Sequence, residues 1–186
     1  MPSYGEIMTR VSRIAVAFLV ALLALHGGTA RAADLFVGAG GGRAAVWGNQ
    51  LDYDNYPQYK SRSFGGYQLA LEMGLQGKYL GGGLDIHYID GLRSFPGGTG
   101  TIVRFLGAQF RGSLPLTTTQ QTYAGISFGI GASSFSRGTV AVPAWRAVVG
   151  YRYQLMRHWY VAAETAFLGM ESVQSVQLAV KTGVLF

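Results

Sequence analysis

From Trp145 onward the chain alternates between two kinds of position. Trp145, Ala147, Val149, Tyr151, Tyr153 and Leu155 fall on one phase, and Arg146, Val148, Gly150, Arg152 and Gln154 on the other. A period of two is that of a β-strand, whose successive side chains point to opposite faces, so one face here is oily and the other small or charged. The pattern recurs. Tyr67, Leu69, Leu71, Met73 and Leu75 alternate with Gln68, Ala70, Glu72 and Gly74, and Leu80, Gly82, Leu84, Ile86 and Tyr88 with Gly81, Gly83, Asp85 and His87. Ala124, Ile126, Phe128 and Ile130 alternate with Tyr123, Gly125, Ser127 and Gly129. Trp159, Val161, Ala163, Thr165 and Phe167 alternate with Tyr160, Ala162, Glu164 and Ala166, and Leu178, Val180, Thr182, Val184 and Phe186 with Gln177, Ala179, Lys181 and Gly183. Two further strands are expected at Leu35 to Trp47, which is rich in glycine, and at Thr101 to Leu114, where the oily phase changes near Gly107 as if at a bulge.

Eight strands with no helical segment between them predict an all-β fold, a closed antiparallel eight-stranded up-and-down barrel. The connections alternate in length. Residues 75–78, 113–120 and 155–158 read as short turns, whereas 48–60, 89–100, 133–143 and 168–175 read as loops of about 7 to 13 residues that hold most of the Pro, Asn and Asp. Short turns are expected on the periplasmic side of such a barrel and the longer loops outside.

Alternation alone does not say which face is inside, because a soluble barrel also alternates, with its oily phase inward. The second phase decides the matter: it is mostly Gly, Ala and Ser with scattered charges, too small and too uncharged for a surface that must stay solvated. It suits the crowded lumen of an eight-stranded barrel, which side chains fill. The oily phase therefore faces lipid. Trp145 and Tyr153, and again Trp159 and Phe167, stand eight residues apart on it, which at about 3.3 Å per residue and about 40° of tilt is roughly 20 Å of height. Tyr67, Tyr88, Trp145 and Phe167 are then expected in an outer aromatic girdle, and Tyr153, Trp159 and Phe186 in a periplasmic one.

The first 32 residues differ from the rest. Arg10 and Arg13 precede an apolar run from Ile14 to Leu25, followed by small residues through Ala30-Arg31-Ala32. Twelve apolar residues are too few for a membrane-spanning helix, and the order matches a secretory signal peptide with cleavage expected after Ala32. Residues 33–186 then form one domain, the barrel. This part carries twelve Lys and Arg against eight Asp and Glu, thinly spread, with no stripe suited to nucleic acid. The chain has no cysteine, which excludes a thiol nucleophile, a disulfide framework and a thiolate metal site.

A signal peptide, eight short alternating strands and an alternating apolar final strand ending at Phe186 resemble the small outer-membrane barrels of the OmpA, OmpX, Ail and opacity-protein group. The resemblance spans the whole of residues 33–186 and is architectural. It implies an integral outer-membrane protein, in contact with outer-membrane lipid and lipopolysaccharide. It also implies that Phe186, with Val184, Thr182, Val180 and Leu178, is what the barrel-assembly machinery reads.

Charges on the lumen phase are the candidate chemistry. Glu72, Asp85 and Glu164, with Arg146, Arg152, Lys181 and His87 and with Arg104 joining them, are expected to form a salt-bridge network, since buried charge is costly unless paired. A narrow gated pore or a lipid A-modifying barrel enzyme is the alternative use of the lumen. His87, Asp85 and Ser94 permit an imagined hydrolytic grouping, but the His-x-Ser-Asn pattern of barrel lipid A deacylases is absent, and no enzyme, cofactor or metal site is expected. Tyr53, Tyr56 and Tyr59, beside Asp52, Asp54 and Pro57, cluster in the first outer loop, where they either anchor a host or matrix ligand or pack over the barrel mouth. Lys60, Arg62, Arg93 and Arg137 are placed near the outer rim, where lipopolysaccharide phosphates are candidate partners. The glycine runs at Gly38, Gly40 to Gly42 and Gly81 to Gly83 lack the Lys-Ser/Thr pair of a phosphate loop and read as tight strand packing.

Overall fold

In the computed structural model the described residues are 34–47, 63–91, 102–135, 138–171 and 173–186. They form eight strands: β1 Asp34–Trp47, β2 Ser63–Gln76, β3 Leu80–Gly91, β4 Ile102–Pro115, β5 Gln120–Phe135, β6 Gly138–Gln154, β7 Trp159–Met170 and β8 Gln174–Leu185. Each pairs antiparallel with its neighbours in sequence, and β1 pairs with β8, so the sheet closes into a barrel. The expected signal peptide lies outside the described residues.

The register fixes the dimensions. Stepping across the ladders from Phe36 leads through Gly74, Gly83, Gln109, Ser127, Arg146, Leu168 and Ser175 and returns to β1 at Val46, ten residues further on. Eight strands with that stagger tilt by about 40° and enclose a cylinder of roughly 8 Å radius at the backbone. Such a bore holds side chains and little else. Glycine supplies the remaining width: Tyr160 lies over both Gly38 and Gly183, and Tyr123 over Gly150, at positions where a Cβ would collide with the ring or its hydroxyl.

Polarity is reversed relative to a soluble protein. Leu69, Phe128, Val149 and Val180 are each more than 60% exposed on the outside, while Arg146, Asp85, Gln109 and Ser127 are fully buried inside. A contiguous apolar wall of this kind is compatible with lipid and not with water.

Three expectations about the strands are corrected. β4 carries no bulge near Gly107: its pairing with β3 and β5 is continuous, Val103, Phe105, Gln109 and Arg111 are buried, and Arg104, Leu106, Phe110 and Leu114 are exposed. Residues 133–135 and 138–143, expected in a loop spanning 133–143, lie in strands, because the β5–β6 ladder continues to Phe135 paired with Gly138. Pro143 sits within β6, where its missing amide costs no ladder bond to β7, since pairing with β7 begins only at Ala144. The connection expected at 168–175 shrinks to 171–173, closed by the Met170 amide donating to the Val173 carbonyl at 2.8 Å. The turns at 77–79, 116–119 and 155–158 fall where the sequence places them.

Candidate functional site: a charged plug in the lumen

Inward phases of β2, β3, β6, β7 and β8 bring Glu72, Asp85, His87, Arg146, Glu164 and Lys181 together, and β4 adds Arg111. Arg111 Nη2 donates to Glu72 Oε2 at 2.7 Å, and Lys181 Nζ reaches the same oxygen at 3.0 Å and Glu164 Oε2 at 2.7 Å. Arg146 spans two carboxylates, Asp85 Oδ2 at 2.9 Å and Glu164 Oε2 at 3.1 Å. Glu72 and Asp85 are direct cross-strand neighbours. Like charges so placed repel, and the three cations threaded between the acids offset the repulsion.

Neutral donors fill the remaining lone pairs. Tyr123 donates to Glu164 at 2.7 Å, Tyr160 to Glu72 at 3.2 Å and Ser127 to Asp85 at 2.8 Å. Arg146 Nε donates to Gln177 at 3.2 Å, whose amide in turn donates to Ser175 at 3.0 Å. Toward the end away from the tight turns the plug gives way to an oily cap that includes Val46, Ile89, Val103, Phe105, Leu168 and Met170. Since side chains occupy the bore through both layers, planar bilayers holding the purified barrel are expected to show baseline current. Discrete conductance steps in the unmodified protein would overturn this account of the lumen.

Two residues expected in the network do not join it. Arg104 faces outward, with its guanidinium 6.0 Å from the ring centroid of Tyr88. Its expected place inside is taken by Arg111, whose phase was obscured by the oily residues Val103 and Phe105 on the same face. Arg152 is buried in the lumen but has no ion-pair partner among the described residues; its guanidinium stands 4.3 Å from the Tyr160 ring centroid. Tyr123, Tyr160, Ser127, Gln109 and Gln177 were not singled out from sequence, although all five are polar groups on lumen phases.

His87 Nε2 pairs with Asp85 Oδ1 at 2.7 Å. The Ser127 hydroxyl donates to the same carboxylate and not to the imidazole, so the trio lacks the nucleophile-to-base contact that serine activation requires. Ser94 lies outside the described residues, as do Tyr53, Tyr56, Tyr59, Lys60, Arg62, Arg93 and Arg137.

Of the expected girdle residues, Tyr67, Trp145, Tyr153, Trp159 and Phe186 are exposed on the outer wall, and Tyr88 and Phe167 are half-buried there. Trp145 lies across Gly169, its direct partner on β7, and against Phe167 at 5.3 Å between ring centroids. Trp47 meets the other side of Phe167 edge-on at 6.1 Å.

No family model and no curated protein matches the sequence. Solved structures do match in fold. Neisserial surface protein A aligns with a TM-score of 0.64 at 14% identity, over 82% of this chain and 97% of its own. Ail, the attachment invasion locus protein of Yersinia pestis, aligns with a TM-score of 0.55 at 10% identity, over 84% and 100% of the two chains. The N-terminal barrel domain of Pseudomonas aeruginosa OprF aligns at 0.54 and 7% identity, again over 84% and 100%. What this chain shares with these small outer-membrane barrels is the closed eight-stranded antiparallel fold.

Proposed function

We infer that the protein resides in the bacterial outer membrane, with the turns at 77–79, 116–119 and 155–158 in the periplasm, and acts as a structural and surface-contacting barrel that engages lipopolysaccharide at its outer end. The observation that carries this reading is a pair of arginines on the otherwise oily wall. Arg43 is paired in register with Tyr67 and lies 4.1 Å from its ring centroid, and Arg104 is paired in register with Tyr88. A lipid-facing arginine is costly near the midplane and cheap at the interface. The ladder runs from Arg43 through Tyr67 and Asp90 to Ile102, two residues from Arg104. By strand spacing and tilt, the two arginines then stand within about 5 Å of the same height and about 15 Å apart around the wall. Exposed Asp90 sits beyond them toward the rim. Two guanidiniums at headgroup level, each braced on a tyrosine, suit phosphates on the leaflet outside.

Lys60, Arg62, Arg93 and Arg137 are proposed to extend this cationic belt, and Tyr53, Tyr56 and Tyr59 to contact a host or matrix ligand. The outward residues of β8 with Phe186 are proposed as the segment that the assembly machinery reads. The buried Asp85, His87 and Ser127 arrangement favours a structural role over lipid-modifying catalysis.

The barrel isolated from outer membranes is expected to retain lipopolysaccharide through detergent washing. The Arg43→Ser/Arg104→Ser variant should retain several-fold less, read as lipid A phosphate per barrel. Equal retention by the two proteins would refute the contact, and resistance of whole cells to protease shaving of the longer connections would refute the orientation.

A further inference from the structure

Among the described residues the lumen holds one cation more than its acids can match. Glu72, Asp85 and Glu164 are balanced by Arg111, Arg146 and Lys181, each of which lies within 3.1 Å of at least one of the three carboxylates. Arg152 is the fourth. Only 4% of it is exposed, and its Nε and Nη2 find no hydrogen-bond partner among the described residues. Its guanidinium is surrounded by aromatic faces, 4.3 Å from the centroid of Tyr160 and 5.7 Å from those of Phe36 and Tyr123. Such faces attract a cation but offer no acceptor to a guanidinium's forked donors. A buried charge left in this state is unfavourable by several kcal/mol unless an anion approaches it.

Arg152 also borders a cavity of about 340 Å³ that opens at the tight-turn mouth, within the size range of small-ligand sites. Gln76, Gln121 and Gln154 supply amides along its walls and Thr119 a hydroxyl. Asp34 and Lys78, of opposite sign, are the other charged residues lining it, so Arg152 determines the sign of the site.

We propose that this mouth is a binding site for a small oxyanion, a carboxylate or phosphate group entering from the turn side and held at the cavity-facing side of the Arg152 guanidinium. Arginine suits the task because its planar fork matches the two oxygens of either group. The Gln121 amide and the Thr119 hydroxyl border the same space, whereas the Gln76 amide is already held by the Gly77 carbonyl and Ser113, and that of Gln154 donates to the Arg157 carbonyl. The site lies at the opposite end of the barrel from the arginine pairs of the outer wall, so its test stands apart from the lipopolysaccharide reading.

The decisive measurement is a titration of the barrel in lipid nanodiscs, following the arginine Nε–H resonances by NMR at constant ionic strength. Sodium acetate and inorganic phosphate are added separately, with chloride as control. A saturable shift of the Arg152 resonance is expected with at least one of them, with a Kd of about 1 mM or tighter. Response to acetate alone assigns a carboxylate source, and response to phosphate alone a phosphate source. Arg152→Lys should weaken binding about tenfold through loss of the fork, and in Arg152→Gln the shifts of neighbouring backbone amides should vanish. No saturable shift with either anion in the unmodified barrel overturns the proposal, as does a response that survives Arg152→Gln. Should that variant fail to refold, the unmodified barrel and Arg152→Lys still decide.

Discussion

Replacing Arg111 by Met is expected to destabilise the barrel by about 3–5 kcal/mol, whereas replacing Arg104 by Met should change stability by less than about 1 kcal/mol. The two arginines lie seven residues apart on the same strand, β4, yet their surroundings are opposite. Arg111 is 1% exposed, donates to Glu72 at 2.7 Å and to Gln109 at 2.9 Å, and lies 4.3 Å from the Tyr123 ring centroid. Its removal leaves Glu72 with Lys181 as its remaining cation partner among the described residues, and Lys181 is shared with Glu164. The uncompensated buried carboxylate, not the lost contact, supplies most of the cost. Denaturant unfolding in phospholipid vesicles measures both variants. Adding Glu72→Gln to Arg111→Met should recover part of the loss, since it removes the stranded charge and the two sites share one network. Equal costs for the two arginines would show that β4 is out of register with this description.

The second large effect concerns backbone packing. A Cβ on Gly83 would land on the carbonyl oxygen of Met73 and 2.6 Å from Cα of Gly74, its direct partner on β2. The nearest atoms are all β2 backbone, which leaves no flexible side chain to move aside. Gly83→Ala is therefore expected to cost about 3 kcal/mol, the upper end for overpacking, and to reduce the fraction that refolds into the heat-modifiable form on gels. Gly112→Ala is the control, because the nearest atom to its added Cβ lies 3.9 Å away. Unimpaired folding of Gly83→Ala alongside that control would contradict the close approach of β2 and β3.

The strands legible in the sequence were those whose two phases differ throughout. In β6 the residues from Trp145 to Tyr153 separate into oily and small or charged sets, and the structure exposes the one and buries the other. β4 is different in kind. Its phases each carry an arginine and each carry oily residues, because one end of the lumen is capped by apolar side chains, including Val103 and Phe105. A reader assuming a wholly polar interior must invert the phase there, which moves Arg104 inside and hides Arg111. Composition also misled at the β5–β6 hairpin. Ser133, Ser134, Gly138 and Pro143 are turn-forming residues, but ladder partners on the adjacent strand outweighed local preference. The charged plug was half legible: alternation shows that Glu72, Asp85, Arg146, Glu164 and Lys181 point inward, but which acid meets which base depends on a stagger between strands remote in sequence.

The seam that closes the ring joins the first strand to the last, with the Phe186 amide donating to the Leu35 carbonyl at 2.8 Å. Until β8 docks, β1 and β7 both present unpaired edges, so every partly assembled form is a template for mispairing. Sealing must also wait for contacts of the greatest sequence separation in the molecule, after the entropy of closing the chain has been incurred. Because the start of β1 lies beside the end of β8, a circularly permuted barrel opened at Thr118 would keep every ladder while moving the last event of folding to β4 and β5. Which pair of strands forms the seam thus governs when the barrel seals, and leaves what it becomes unchanged.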